Sequence, residues 1–358
     1  MVDGRRRAAL AAVLVAAGLA AGPAWAADRD GSLRFGVYPG GAAGAVHAPQ
    51  LQVAPDLRRE RAAVDRLAGD ADVVVRLYTS LDGRRDDDQD DLVGQVRRWS
   101  EAGHDVEVVA RHLPARTDAE AAVDAYVDDL SRLARRLSGV RRLHSIQVTN
   151  EANVRGAPAA ADGSSPGVLE ALARGVVAVE HQLARADRRD VSVGFNVAED
   201  RGLSAFFAAV RRVGGRRLDQ AVDWIGLDVY PATWSAPERP DRAAVRAAVT
   251  EALRTMRRTH MPAGGFGSDV ALRVTENGFP TGPGRSEADQ VAVLEASVGA
   301  VVAARRSLRV TDFRWFALRD AASASQHPEH QYGLLRDDWR EKPAFDALRR
   351  LIARHGGD

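Results

Sequence analysis

Two glutamates are the residues of this chain best placed to do chemistry. The segment Val274-Thr275-Glu276-Asn277-Gly278 ends a short β-type run, Ala271 to Val274, on a carboxylate. A second run, "LHSIQV", ends in Thr149-Asn150-Glu151. An ionised carboxylate where a buried strand emerges is costly unless it is paired, hydrogen-bonded or exposed. Two of them across one cleft are what cleavage of a glycosidic bond requires. One must be protonated, to give its proton to the leaving oxygen, and the other ionised, to attack the sugar carbon or assist attack. Burial and repulsion would raise the pKa of the first while a cation holds the second down. Arg76, in "VVVRLY", is the candidate cation; strand alternation puts it on one face with Val74 and Tyr78. As a segment alone, it reads equally well as an arginine snorkelling at a barrel rim.

These residues are far apart in sequence, so the fold must bring them together. Short β-branched runs alternate with longer Ala/Leu/Arg-rich amphipathic stretches through about eight cycles, the pattern of βα units on a parallel sheet. The strand candidates are "LRFGVYP", "DVVVRLYTS", "DVEVVARHL", "LHSIQVTNE", "VSVGFNVAE", "VDWIGLDVYP", "ALRVTENGF" and "DFRWFALRD". Helix candidates lie between them, one opening on Ser286 as N-cap with acidic residues in its first turn. The expectation is α/β: a single (β/α)8 TIM barrel, whose strand C-termini share one mouth. Glu151 ends the fourth strand and Glu276 the seventh, across that mouth. A doubly wound sheet would need a phosphate-binding turn after its first strand. "YPGGAAG" (residues 38–44) leads into no such helix and reads as a rim loop.

An Asn-Glu pair ending the fourth strand and a Glu ending the seventh resemble the signature of the clan A glycoside hydrolases, retaining enzymes on a (β/α)8 barrel. "VTENG" is similar to the nucleophile segment of the family 1 β-glycosidases. The ending "QYGLLRDDWREKPAFDAL" resembles the shorter clan members. The resemblance implies Glu151 as acid/base and Glu276 as nucleophile, with Asn150 bonding the sugar 2-OH. It further implies Arg76 near the nucleophile, His112 as a polar site residue, Tyr230 bonding the nucleophile and Trp315 as the platform under the sugar. Ala152 departs from the proline that many clan members carry after Asn-Glu, and no family is assigned. Adjacent residues of a regular strand face opposite ways. Asn150 and Glu151 can both reach the cleft only if the strand twists or bulges at its end.

Weaker candidates surround these. Trp234 reads as a second sugar platform or a rim tryptophan, and Asn196 as a further sugar-bonding residue. Glu199 is the rival carboxylate, better suited to a loop or helix start. Asp228 reads as support for the sheet end or Tyr230, Asp320 as a cleft residue, Tyr38 as an edge contact, and Trp224 and Phe313 as barrel packing. His47, His104, His144, His327 and His330 show no metal-ligand spacing. The charge run Arg84 to Asp91 reads as a solvated loop leading into a helix.

Bulk properties narrow the class. A net charge of +1 carries no nucleic-acid footprint. Cysteine is absent, which excludes disulfides, thiol chemistry and thiolate zinc sites. Lys342 is the only lysine. "MVDGRRR", an Ala-rich apolar run and Ala24-Trp25-Ala26 have the form of an export signal, giving residues 1–26 as signal peptide and 27–358 as the barrel. The reading is a secreted, monomeric β-glycosidase or glycanase acting on oligo- or polysaccharide. It needs no cofactor, no metal, no nucleic acid and no stable membrane association after cleavage. Two alternatives stand beside it. One is a carbohydrate-binding barrel that has lost catalysis. The other is a metal-dependent hydrolase, for which only His112 is suitably placed.

Overall fold

The eight β-branched runs form eight parallel strands hydrogen-bonded edge to edge in sequence order, the eighth closing on the first. A computed structural model describes residues 32–41, 48–51, 53–81, 87–233 and 240–357. The expected export segment, His47 and Trp234 lie outside these residues, as do parts of the glycine-rich stretch and of the charge run. The strands are β1 (Arg34–Val37), β2 (Val73–Leu81), β3 (Asp105–His112), β4 (Leu143–Val148), β5 (Ser192–Ala198), β6 (Trp224–Asp228), β7 (Ala271–Asn277) and β8 (Val310–Trp315). The helices are α1 (Leu57–Ala68), α2 (Asp87–Glu101), α3 (Ala119–Leu137), α4 (Val168–Arg185), α5 (Leu203–Ala221), α6 (Arg242–Thr255), α7 (Met261–Ala263), α8 (Glu287–Leu308) and α9 (Pro343–His355). A π-turn, Met256–His260, joins α6 to the short α7. The result is the expected (β/α)8 barrel.

Local chemistry sets the helix starts. Ser286 and Asp289 exchange side-chain-to-backbone bonds in a capping box at the head of α8. Asp56 and Asp118 cap α1 and α3 in the same way, by accepting from backbone N–H groups. Asp87 to Asp91 belong to the first turns of α2, so the second half of the charge run is helix rather than loop.

Alternation along each strand divides the side chains between two cores. Val75, Val108, Ile146, Phe195, Ile225, Val274 and Phe313 point outward and are buried beneath the helices. Each such side chain contributes about 1.5–3 kcal/mol on leaving water. The barrel interior is different. In place of aliphatic layers it holds Arg76, Glu107, Arg273, Asp312 and Arg314, none more than 2% exposed. Arg76 Nη1 meets Glu107 Oε1 at 2.5 Å, and Arg273 and Arg314 each approach Glu107 Oε2 at 3.4 Å. Asp312 accepts a hydrogen bond from Arg314 at 2.7 Å and forms an ion pair with Arg273 at 3.0 Å. Burial opposes the Glu107 charge, but Arg314, Arg76 and Arg273 outweigh it and hold the carboxyl down at about 2. Trp224 also lies inside, under the Arg273 guanidinium at 4.4 Å. Glycine makes room for these groups: a Cβ on Gly36 would stand 2.5 Å from Arg314 Cδ.

The one lysine also serves the fold. Lys342 is 2% exposed, and its ammonium bonds Asp320 at 2.8 Å, Thr281 Oγ1 at 2.9 Å and the Gln331 carbonyl at 3.2 Å. Three acceptors around one point suit an ammonium better than a planar guanidinium. Asp320, expected to line the cleft, is thus a structural anchor for the segment between β8 and α9.

Candidate active site

The end of β4 shows how the sequence places its glutamate. The strand stops at Val148, and Thr149 (φ 61°) and Glu151 (φ 45°) are left-handed. This is the irregularity that adjacent Asn150 and Glu151 demanded. Asp162 secures the turn: its Oδ2 accepts from the backbone N–H of Asn150 at 2.8 Å and of His112 at 2.7 Å. Arg111 Nε donates to Asp162 Oδ1 at 3.0 Å, and its other nitrogens hold the carbonyls of Ala159 and Pro158. The Glu151 backbone N–H donates to Asn196 Oδ1 at 2.8 Å.

Glu276 emerges from β7 where the register with β6 and β8 shifts. Both of its oxygens are occupied. Tyr78 OH donates to Oε1 at 2.5 Å and Tyr230 OH to Oε2 at 2.7 Å. The direction at Tyr78 is fixed, because Arg76 Nε donates to the same phenolic oxygen at 2.7 Å and an arginine cannot accept. Arg76 itself stands 3.8 Å from Glu276 and also reaches it through the phenol. Its remaining nitrogens hold Glu107 and Gln147.

The two glutamates do meet. One carboxylate oxygen from each of Glu151, Glu276 and Asp228 lies within 4.8 Å of the other two. Glu151 keeps an opening to solvent but is walled by protein. Burial first, and then the Glu276 charge, push its carboxyl up to about 8. Asp228 is 1% exposed, and burial followed by Glu276 and Glu151 drives it well above the carboxylate range. Such a group is held neutral more cheaply than charged.

An aromatic belt rims the site. Tyr38 stacks on Phe316 with ring centres 5.2 Å apart and meets Tyr78 edge-on at 5.1 Å. Phe316 touches Tyr332 at 5.6 Å, and Tyr332 touches Tyr230 at 6.0 Å. All but Tyr332 keep partial exposure.

Several expected site residues lie elsewhere. Trp315 is fully buried in the core beneath the helices. Asp312 and Arg314 face the interior, so alternation sends Trp315 outward and presents Phe316 at the mouth. His112 follows the same parity. Arg111 faces inward, while His112 packs on Tyr126 of α3 and bonds the Pro166 carbonyl at 2.9 Å. Asn196 is fully buried, and its amide spans Glu151 N–H, Asn150 and Asp228, so it positions rather than contacts a ligand. Arg76, at 1% exposure, likewise stands behind the site. Asn150 lies at the mouth with its Nδ2 on the Ala160 carbonyl. Glu199 is exposed and outside the carboxylate cluster. Phe316, Tyr332 and the Arg111–Asp162 pair were not singled out in the sequence; Tyr78 was named only as sharing a strand face with Arg76, and Asp228 only as support for the sheet end or Tyr230. Tyr78 left a signal there, two places from Arg76 on one strand face, and Asp228 another, two places from Tyr230.

Fold and site together describe a (β/α)8 barrel with two opposed glutamates at the C-terminal ends of β4 and β7. Solved structures of this architecture include a GH5_18 protein from Bifidobacterium longum subsp. infantis. It is 17% identical, with a TM-score of 0.63 over 91% of this chain and 80% of that one. A β-glucosidase from Thermotoga maritima in complex with castanospermine is 13% identical, with a TM-score of 0.61 over 92% and 99%. A fungal β-1,4-galactanase structure is 13% identical, with a TM-score of 0.57 over 89% and 99%. No family model matches the chain, and no curated protein matches it in sequence. The likeness establishes a shared fold.

Proposed function

We propose that the protein is a retaining β-glycosidase or glycanase. The observation that carries this is the pairing of Glu151 and Glu276, one oxygen of each within 4.8 Å of the other, in opposite environments. Retaining pairs stand about 5–5.5 Å apart, and inverting pairs about 6.5–9.5 Å. Glu151, raised to about 8, holds a proton at neutral pH and gives it to the leaving oxygen. Glu276 attacks the anomeric carbon from the opposite side, one oxygen exchanging its phenol for the new bond. Glu151, now a carboxylate, takes a proton from water, and that water displaces Glu276 from the sugar. Two inversions leave the configuration unchanged. The aromatic belt offers flat apolar faces to a pyranose ring. The three structures above are named for β-linked sugars or for glycoside hydrolase classes, and a related GH5_18 structure holds Manβ1-4GlcNAc. These support a β-linked hexose substrate.

The test is a screen of the protein against 4-nitrophenyl β-glycosides and a polysaccharide panel, with the first product anomer followed by NMR. Release of the β-anomer is expected. An α-anomer as first product would refute retention, and sugar binding without release would favour the binding-only alternative. We also infer export after cleavage near Ala26 and a monomeric state. N-terminal sequencing of the secreted protein and light scattering would test them.

Tyr78 gives a sharper test of the same reading. Tyr78→Phe removes a hydrogen bond to a charged oxygen and strands Arg76 Nε in the interior. A bond of that kind is worth roughly 1.5–3 kcal/mol. A fall in kcat of about 10- to 100-fold with little change in KM is expected, measured on an aryl glycoside.

A further inference from the structure

A two-glutamate mechanism leaves Asp228 unused, although its carboxyl touches both partners' surroundings. Its Oδ1 meets Thr275 Oγ1 at 2.6 Å, and its Oδ2 accepts from Asn196 Nδ2. The Asn196 orientation is fixed, since its Oδ1 accepts from the Glu151 backbone N–H. Asp228 is therefore tied by one short relay to the same turn that carries Glu151.

Charge balance decides the state of this third carboxyl. Arg76, Arg273 and Arg314 face Glu107 and Asp312 in the interior, a surplus of one positive charge. His144, beside Asp312, is pushed down to about 4 by burial and is neutral near pH 7. Arg111 is matched by Asp162, and Lys342 by Asp320. Arg34, half-buried at the start of β1 beside Asp312, and Asp223, just ahead of β6 and facing Arg273, add one charge of each sign and leave the surplus unchanged. Among the described residues, the remaining groups facing the cluster are the phenols of Tyr78, Tyr230 and Tyr332, all pushed upward by burial and so neutral. One surplus cation balances one carboxylate at the mouth, and Glu276 with its two phenol donors takes that place. Two further negative charges within 4.8 Å would be uncompensated.

We propose that Asp228 is a positioning residue that stays a neutral carboxylic acid in the resting protein and shares a hydrogen bond with Glu151. Its proton turns toward Glu151 when Glu151 becomes a carboxylate. In the first step the Glu151 proton goes to the leaving oxygen while the charge of Glu276 is consumed in the new ester bond. Negative charge thus moves from Glu276 to Glu151, and Asp228–OH donates to it without being transferred. In the second step Glu151 regains its proton from water, and the Asp228 bond relaxes. The second half of this proposal rests on the hydrolase reading; the protonation state does not.

Infrared difference spectroscopy of the whole protein at pH 7 tests it without any substrate. Labelling aspartate carboxyl carbons with 13C should shift one protonated-carboxyl C=O band. Asp228→Asn should remove that band, and Glu151→Gln should leave it in place. Thr275→Val, which keeps the carboxyl but removes its hydroxyl partner, should move the band to higher frequency and covers the case in which Asp228→Asn does not fold. No label-sensitive band, or a band untouched by both Asp228→Asn and Thr275→Val, would overturn the proposal. If the protein cleaves no glycoside yet the band behaves as expected, the hydrolase reading fails and the proton assignment stands.

Discussion

Glu276→Ala is expected to abolish turnover of every glycoside, good leaving group or poor. Loss of the covalent nucleophile should cost on the order of 10^4- to 10^6-fold in kcat. The effect is large because no carboxylate among the described residues can substitute. Asp228 is spent on Thr275 and Asn196, and Glu151 stands on the acid side of the sugar. Added azide should restore some turnover by occupying the vacated space. The product should then be the α-glycosyl azide, since only one inversion has taken place. Tyr78 and Tyr230 lose their acceptor in this variant, so circular dichroism and a thermal melt must show that it still folds. Residual activity within 100-fold of the parent on any substrate would contradict the assignment.

Glu151→Ala should split substrates by leaving group. A general acid contributes about 10^2- to 10^4-fold where the leaving oxygen needs its proton. Cleavage of oligosaccharides and alkyl glycosides should fall by that amount. A 2,4-dinitrophenyl glycoside leaves unaided, so formation of the glycosyl-enzyme should persist. Its turnover should be limited by slow release, and azide should speed release and yield the β-glycosyl azide. pH dependence gives an independent check. Glu151 acts in its protonated form and is raised to about 8, so kcat/KM should hold through neutrality and fall about tenfold per unit above pH 8. The variant should lose that alkaline limb. Equal losses on both substrate types, with the limb retained, would place the acid elsewhere.

Much of this protein was readable from local patterns. Period-two runs separated by amphipathic stretches gave the eight strands and the helices between them, because each element must bury one face. Glu151 and Glu276 stood out as carboxylates at strand ends, and the adjacency of Asn150 and Glu151 required a bend that Thr149 and Glu151 supply. The chain's one lysine was visible, but its role was not. Three acceptors converge on it from residues 281, 320 and 331, which no local pattern relates.

The amino-acid order alone determined the barrel and the two glutamates, since hydrophobic period and strand ends are properties of short segments. Tertiary structure alone decided which neighbours serve them. A parity of one residue sent Trp315 and His112 into the outer core and brought Phe316 and Arg111 to the inside. Closure of the ring set Tyr78 between Arg76 and Glu276, and Asp228 beside both glutamates. The physical reason is that electrostatic and hydrogen-bonded partners are chosen by distance across the barrel. That distance is fixed only when all eight strands have closed.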